Sequence, residues 1–216
     1  MILRRRFLLA LVVFSSLRLC APAADGGAAP SAVEVQRAQK IAAQLQLADP
    51  AKATRVRDLI ARQYFELSLI HAQRDAALQT AKTLTGIAKD AAIKQARTEA
   101  EAAQDRLHPE YLARLATELT PAQIDAVKDG MTYGVLPLTF RVYQEMLPNL
   151  TADQKAQILA WLTEAREHAM DASTSEEKHG WFGKYKGRIN NYLSQAGIDM
   201  KQAEKEMMAR NKAATK

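Results

Sequence analysis

Apolar residues along this chain recur at spacings of three and four rather than in alternation, so the sequence predicts helices nearly throughout and no sheet. Ser31 and Glu34 form a capping box for a first helix carrying Val35, Ala38, Ile41, Ala42 and Leu45. Asp49 followed by Pro50 is an N-cap with proline at the first helical position. The long helix it opens has the stripe Val56, Leu59, Ile60, Tyr64, Leu67, Ile70, His71 and Leu78. Leu84-Thr85-Gly86 predicts a turn, because glycine takes the left-handed conformation at low cost. Ile93, Ala96, Ala100, Ala103 and Leu107 then alternate at three and four like a coiled-coil seam.

These features predict an all-α helical bundle with a long antiparallel helical hairpin, residues 49–107, projecting from a helical body, residues 108–216. The small-residue seam Ile93–Leu107 would serve equally for a homodimer. Pro109 is expected to end the hairpin, with a separate short helix from Glu110 to Glu118. Two later starts repeat, Leu119-Thr120-Pro121-Ala122-Gln123 and Leu150-Thr151-Ala152-Asp153-Gln154, each a Thr-x-x-Gln capping box. Between them Gly130 to Pro137 is expected to be irregular, before a short helix with Phe140, Tyr143 and Leu147. Thr151 opens a helix to about Ala172. Gly180 is expected to precede another that ends at Gly197, and Asp199 caps the last. Residues 31–216 are read as one domain.

The first 23 residues stand apart. Arg4, Arg5 and Arg6 form a basic segment, Phe7 to Leu17 an apolar one, and Ala21-Pro22-Ala23 a small-residue cleavage site, which together read as a signal peptide. The apolar run stops at Arg18, short of the ~20 residues of a membrane-spanning helix. The expected product is exported, periplasmic or extracellular, with a flexible leader over Ala24–Pro30 and no transmembrane segment once the signal is removed. Both general secretion and the twin-arginine route fit. The charge picture changes accordingly. Four of the 30 Lys+Arg lie in the signal, leaving 26 against 24 Asp+Glu, so the pI of 9.4 is no argument for nucleic acid. Cys20, the single cysteine, leaves too, excluding a disulfide or thiolate chemistry from the remainder.

Candidate chemistry concentrates in residues 164–192. Glu164, Glu167 and Asp171 fall on one helix face, read mainly as solvated and alternatively as a cation site. Trp181, Phe182, Tyr185 and Tyr192 stand among Lys178, Lys184, Lys186, Arg188, Asn190 and Asn191. Aromatic faces stack on the C–H faces of sugars while Lys, Arg and Asn bond hydroxyls or carboxylates, so the mixture suits a carbohydrate, above all an acidic one. The expected contacts are Trp181 and Tyr185 as platforms, Tyr133 as a second wall, and Lys184, Arg188, Asn191 and His168 as polar partners. Phe182, Tyr185, Ile189 and Tyr192 also recur at three and four, the pattern of a buried stripe. His71 reads as a hydrogen-bonded core residue. The four histidines show no metal spacing, Glu176-x-x-His179 lacks the second copy a di-iron bundle needs, and no cofactor or metal is expected.

The segments Lys128-Asp-Gly-Met-Thr-Tyr-Gly134, Met146-Leu-Pro-Asn-Leu-Thr151, Glu164-Ala-Arg-Glu-His-Ala-Met-Asp171 and 175–192 resemble the bacterial domain-of-unknown-function family 3826, over roughly residues 38–205. That resemblance implies an exported protein described as sugar-binding, and assigns no catalytic residues. The repeated Leu-Thr-x-x-Gln starts are similar to those of periplasmic Spy-type chaperones, which implies binding of unfolded clients. A third expectation is a polysaccharide-active enzyme using Glu164, Glu167 or Asp171 with His168, which requires those groups around one cleft.

Overall fold

A computed structural model describes residues 29–214, so the signal segment 1–23 with Cys20, and most of the 24–30 leader, lie outside the described residues. The described chain forms eight helices and no strand: α1 (Ala32–Gln44), α2 (Pro50–Ala81), α3 (Gly86–Ala116), α4 (Pro121–Met131), α5 (Val135–Met146), α6 (Ala152–Met170), α7 (Ser175–Gln195) and α8 (Met200–Ala214). The class is all-α, as the periodicity predicts. Local chemistry explains the starts. Ser31, Thr120 and Thr151 each accept the backbone amide three residues on, while Glu34, Gln123 and Gln154 reach back to the cap amide. The repeated Leu-Thr-x-x-Gln starts are therefore two capping boxes.

Helices α2 and α3 form the long antiparallel hairpin. Arg55 pairs with Glu118 at 2.8 Å and Glu66 with Arg114 at 3.0 Å, while Gly86 at the turn has φ +56°. Ala96 and Ala100 are buried within the chain, in the groove where Ala77 of α2 faces α3. The open end of the hairpin is built into the molecule: Val56, Ile60, Ala61, Tyr111 and Leu115 join Ala38, Ile41, Val127 and Met131 in one apolar cluster. A second cluster, with Ile158, Leu162, Phe182, Ile189 and Leu193, is formed by α5 to α8. Helix α6 serves both, because Met170 at its end belongs to the first cluster and its earlier apolar residues to the second.

Three boundaries differ from the sequence expectation. Pro109 lies inside α3, where it forfeits one backbone hydrogen bond. Burial of Tyr111 and Leu115, each 0% exposed, holds the last turns in line and outweighs that local cost. Gly180 lies inside α7, which starts at Ser175 behind Thr174, whose hydroxyl accepts the Glu177 amide. The irregular stretch contracts to the turn Thr132-Tyr133-Gly134, with φ +59° at Tyr133 and +66° at Gly134. Gly130 lies within α4, where its missing side chain makes room for Ile41, since a Cβ there would sit 3.0 Å from both Cγ atoms of Ile41, and Pro137 fits the first turn of α5.

Two glycine substitutions should move stability in opposite directions. Gly130→Val overpacks the contact with Ile41 and should cost roughly 1–3 kcal/mol. Gly183→Ala, inside α7 with nothing within 4 Å, should gain about 0.5–1 kcal/mol. Thermal unfolding followed by circular dichroism measures both. Equal melting temperatures for the two variants would overturn the packing assigned to Gly130.

Candidate functional site

The last carbonyls of a helix have no partner within it and carry the negative end of its dipole. At the end of α6 they are met by side chains from three other helices. The Lys178 ammonium of α7 donates to the carbonyls of Ala169 at 3.0 Å and Met170 at 3.1 Å. His71 Nε2 of α2 and the Gln104 amide of α3 each lie 2.9 Å from the Asp171 carbonyl. Lys178 and His71 are both 6% exposed. Burial pulls the Lys178 amine down to about 8 and also lowers the His71 imidazole.

One turn back, a charged cluster fills the seam between the two apolar clusters. His108 Nδ1 donates to Asp171 Oδ2 at 2.6 Å, and its Nε2 lies 3.2 Å from Glu167 Oε2. With a carboxylate at each ring nitrogen, His108 is held as imidazolium; these bonds, Asp171 first, raise it to about 9. Burial alone would raise the Glu167 carboxyl, yet hydrogen bonds from His108 and Lys128 bring it down to about 2. Arg166, 5% exposed, donates to Asp129 at 2.9 Å and Asp125 at 2.6 Å. The acid face read as solvated is thus largely an interior ion-pair network, and only Glu164 of the three acids is exposed. No group of three or more His, Cys, Asp or Glu able to hold a metal ion occurs among the described residues.

Beside this network opens a cavity of about 540 Å³, walled by α2, α3, α6 and α7. Trp181, Lys184 and His168 line it together with Asp171, His71 and Arg74. The His168 and Trp181 rings stack at 4.4 Å and 16°, and the Lys184 ammonium lies 4.9 Å from the Trp181 ring centre. Asp171 Oδ1 and His71 Nδ1, both buried, have no hydrogen-bond partner among the described residues. Glu101, Asp105 and Glu177 also line the cavity, so with Asp171 its acids outnumber Arg74 and Lys184.

The structure brings together three of the seven residues picked from sequence, Trp181, Lys184 and His168. It separates the other four. Tyr185 is 5% exposed, a core residue whose ring faces α6 beside His168 and Glu164, so it offers no open face for stacking. Arg188 lies 3.7 Å from Glu164 with its guanidinium over the Trp161 ring. Asn191 is exposed and outside the cavity, while the adjacent Asn190 accepts the Tyr143 hydroxyl at 2.6 Å. Tyr133 lines a different cavity and meets His179 edge-on at 5.8 Å. The acid and base groups of the enzyme expectation are also divided: Asp171 and His168 reach this cavity, Glu164 and Glu167 do not. Sequence reasoning missed Gln104, Arg74 and His108. Their helices approach α6 only through tertiary packing, and the expected break at Pro109 hid the register of His108.

The family described as "Protein of unknown function (DUF3826)" matches residues 31–213, and the chain belongs to it. No curated protein matches the chain.

The His108 network has a defined pH signature. Its folded-state pKa is raised above the unfolded value, so its stabilisation is full below about 6.5 and is lost as pH rises through about 9. His108→Gln should therefore be less stable than the parent by on the order of 2 kcal/mol at pH 6, with the gap closing by pH 10. Urea denaturation of both proteins at the two pH values is the check; a gap independent of pH would remove the ion-pair role.

Proposed function

We propose that this member of the DUF3826 family is an exported carbohydrate-binding protein, an accessory in polysaccharide use, whose ligand occupies the cavity beside Trp181. The carrying observation is a partly exposed indole held flat against His168 on the wall of a cavity also lined by Asp171, Arg74, Gln104 and Lys184. A pyranose presents an apolar C–H face and a rim of hydroxyls, and those two surfaces match the indole and the surrounding polar groups. The volume falls within the range of about 300–1,000 Å³ usual for small-ligand sites. The signal-type arrangement of Arg4–Arg6, Phe7–Leu17 and Ala21–Ala23 supports export. Binding is favoured over cleavage because Glu164 and Glu167 stand outside the cavity and Asp171 is bonded to His108.

A glycan panel read for both retained ligand and released fragments tests this. Retention without cleavage is expected. Trp181→Ala should weaken the retained glycan at least about tenfold, the scale of one lost ring contact, while helical circular dichroism stays unchanged. A blank panel, or binding indifferent to Trp181, would overturn the reading, and released fragments would replace it with the enzyme.

A further inference from the structure

A second, larger cavity of about 1200 Å³ adjoins the first, and His71 and Ala172 line both. Its wall is asymmetric in how its charges are satisfied. The acids there are already engaged: Glu34 accepts the Ser31 amide, Asp75 pairs with Arg74, and Asp129 pairs with Arg166. The cations are not. Among the described residues Arg37 has neither a hydrogen bond nor an ion pair, and Lys178, 6% exposed, has only two neutral carbonyl acceptors for its three N–H groups. Arg37 from α1, Tyr64 from α2 and Lys178 from α7 line this one cavity, and the Arg37 charge acts on both of the others. Tyr64 has no hydrogen-bond partner among the described residues either.

Asp171 and Glu177 act on the buried Lys178 from the side of the first cavity, but on this wall Lys178 and Arg37 repel each other and neither has an ion pair among the described residues. An anion placed between them removes that repulsion and supplies the missing acceptors. The planar guanidinium suits a two-oxygen group, while the ammonium and the phenol add single donors. Tyr133, 59% exposed and held in a left-handed turn on the same wall, supplies an apolar face beside the charge.

We propose that this cavity is an oxyanion subsite in which Arg37, Lys178 and Tyr64 hold a carboxylate or sulfate group. Resting on the carbohydrate reading above, the ligand is then an acidic saccharide, with one ring against Trp181 and a second, charged ring across the His71–Ala172 boundary. The acidic preference thus returns, carried by residues of three helices rather than by the basic run in α7.

The test is calorimetric titration of the purified chain with glucuronate, inorganic sulfate and glucose, repeated on Arg37→Ala, Lys178→Met and Trp181→Ala. Arg37 is exposed, so its variant leaves the fold intact even if Lys178→Met proves unstable. Glucuronate or sulfate should bind the parent, lose at least tenfold in affinity in Arg37→Ala, and be unaffected by Trp181→Ala. Binding of glucuronate alone assigns a uronic carboxylate; binding of sulfate alone assigns a sulfate ester. No binding of either anion, or affinity unchanged in Arg37→Ala, overturns the subsite. Loss of neutral glycans in Trp181→Ala is read separately, so failure of the first cavity and failure of the second are distinguishable.

Discussion

Everything around the candidate site depends on how the C-terminal end of α6 is satisfied. Helix α6 ends in the interior, and buried carbonyls without donors would cost on the order of 1–3 kcal/mol each. Lys178, His71 and Gln104 supply those donors from three helices. A cation at a helix C-terminus also opposes its dipole, which offsets part of the cost of burying the Lys178 ammonium. The hairpin and α7 are thereby fixed to one point, and the two cavities open on either side of it.

The charged seam one turn earlier solves a different problem. Two apolar clusters meet along α6, and the side of that helix between them carries Arg166, Glu167 and Asp171. Partner charges come from His108 and from Lys128, Asp125 and Asp129 of α4. An unpaired charge in such a place would be strongly destabilising, whereas a network with nearly every group bonded fixes the relative rotation of the helices. Arg166 Nε, Glu167 Oε1 and Asp171 Oδ1 are the buried atoms left without a hydrogen bond, and the last belongs to a residue of the cavity wall. The network thus orients a buried side chain of the cavity wall.

The same α6–α7 packing decides which of the special residues can meet a ligand. The two helices run antiparallel, with His168 against Trp181, Glu164 beside Tyr185, and Trp161 against Arg188 and Tyr192. Sequence periodicity correctly marks Phe182, Tyr185 and Ile189 as a buried stripe, and of the aromatic and basic mixture Trp181, Lys184 and His168 come to line one cavity. Which aromatic remains open is a matter of where α2 and α3 end against this pair. Trp181 lies beside the gap they leave, and Tyr185 is covered.

The sequence by itself determined what is local. Helical class, the capped starts at Ser31, Thr120 and Thr151 and the turn at Gly86 all follow from contacts within four residues, where the chain's own spacing fixes geometry. The tertiary structure alone decided the rest. Pro109 and Gly180 stay helical because distant packing outweighs a local penalty of a few kcal/mol at most. The walls of the two cavities draw on Arg37, Tyr64, His71, Gln104, Asp171 and Lys178, spread over most of the chain. Their convergence is set by the rotation and register of packed helices, a property of the whole core that no short window of sequence contains.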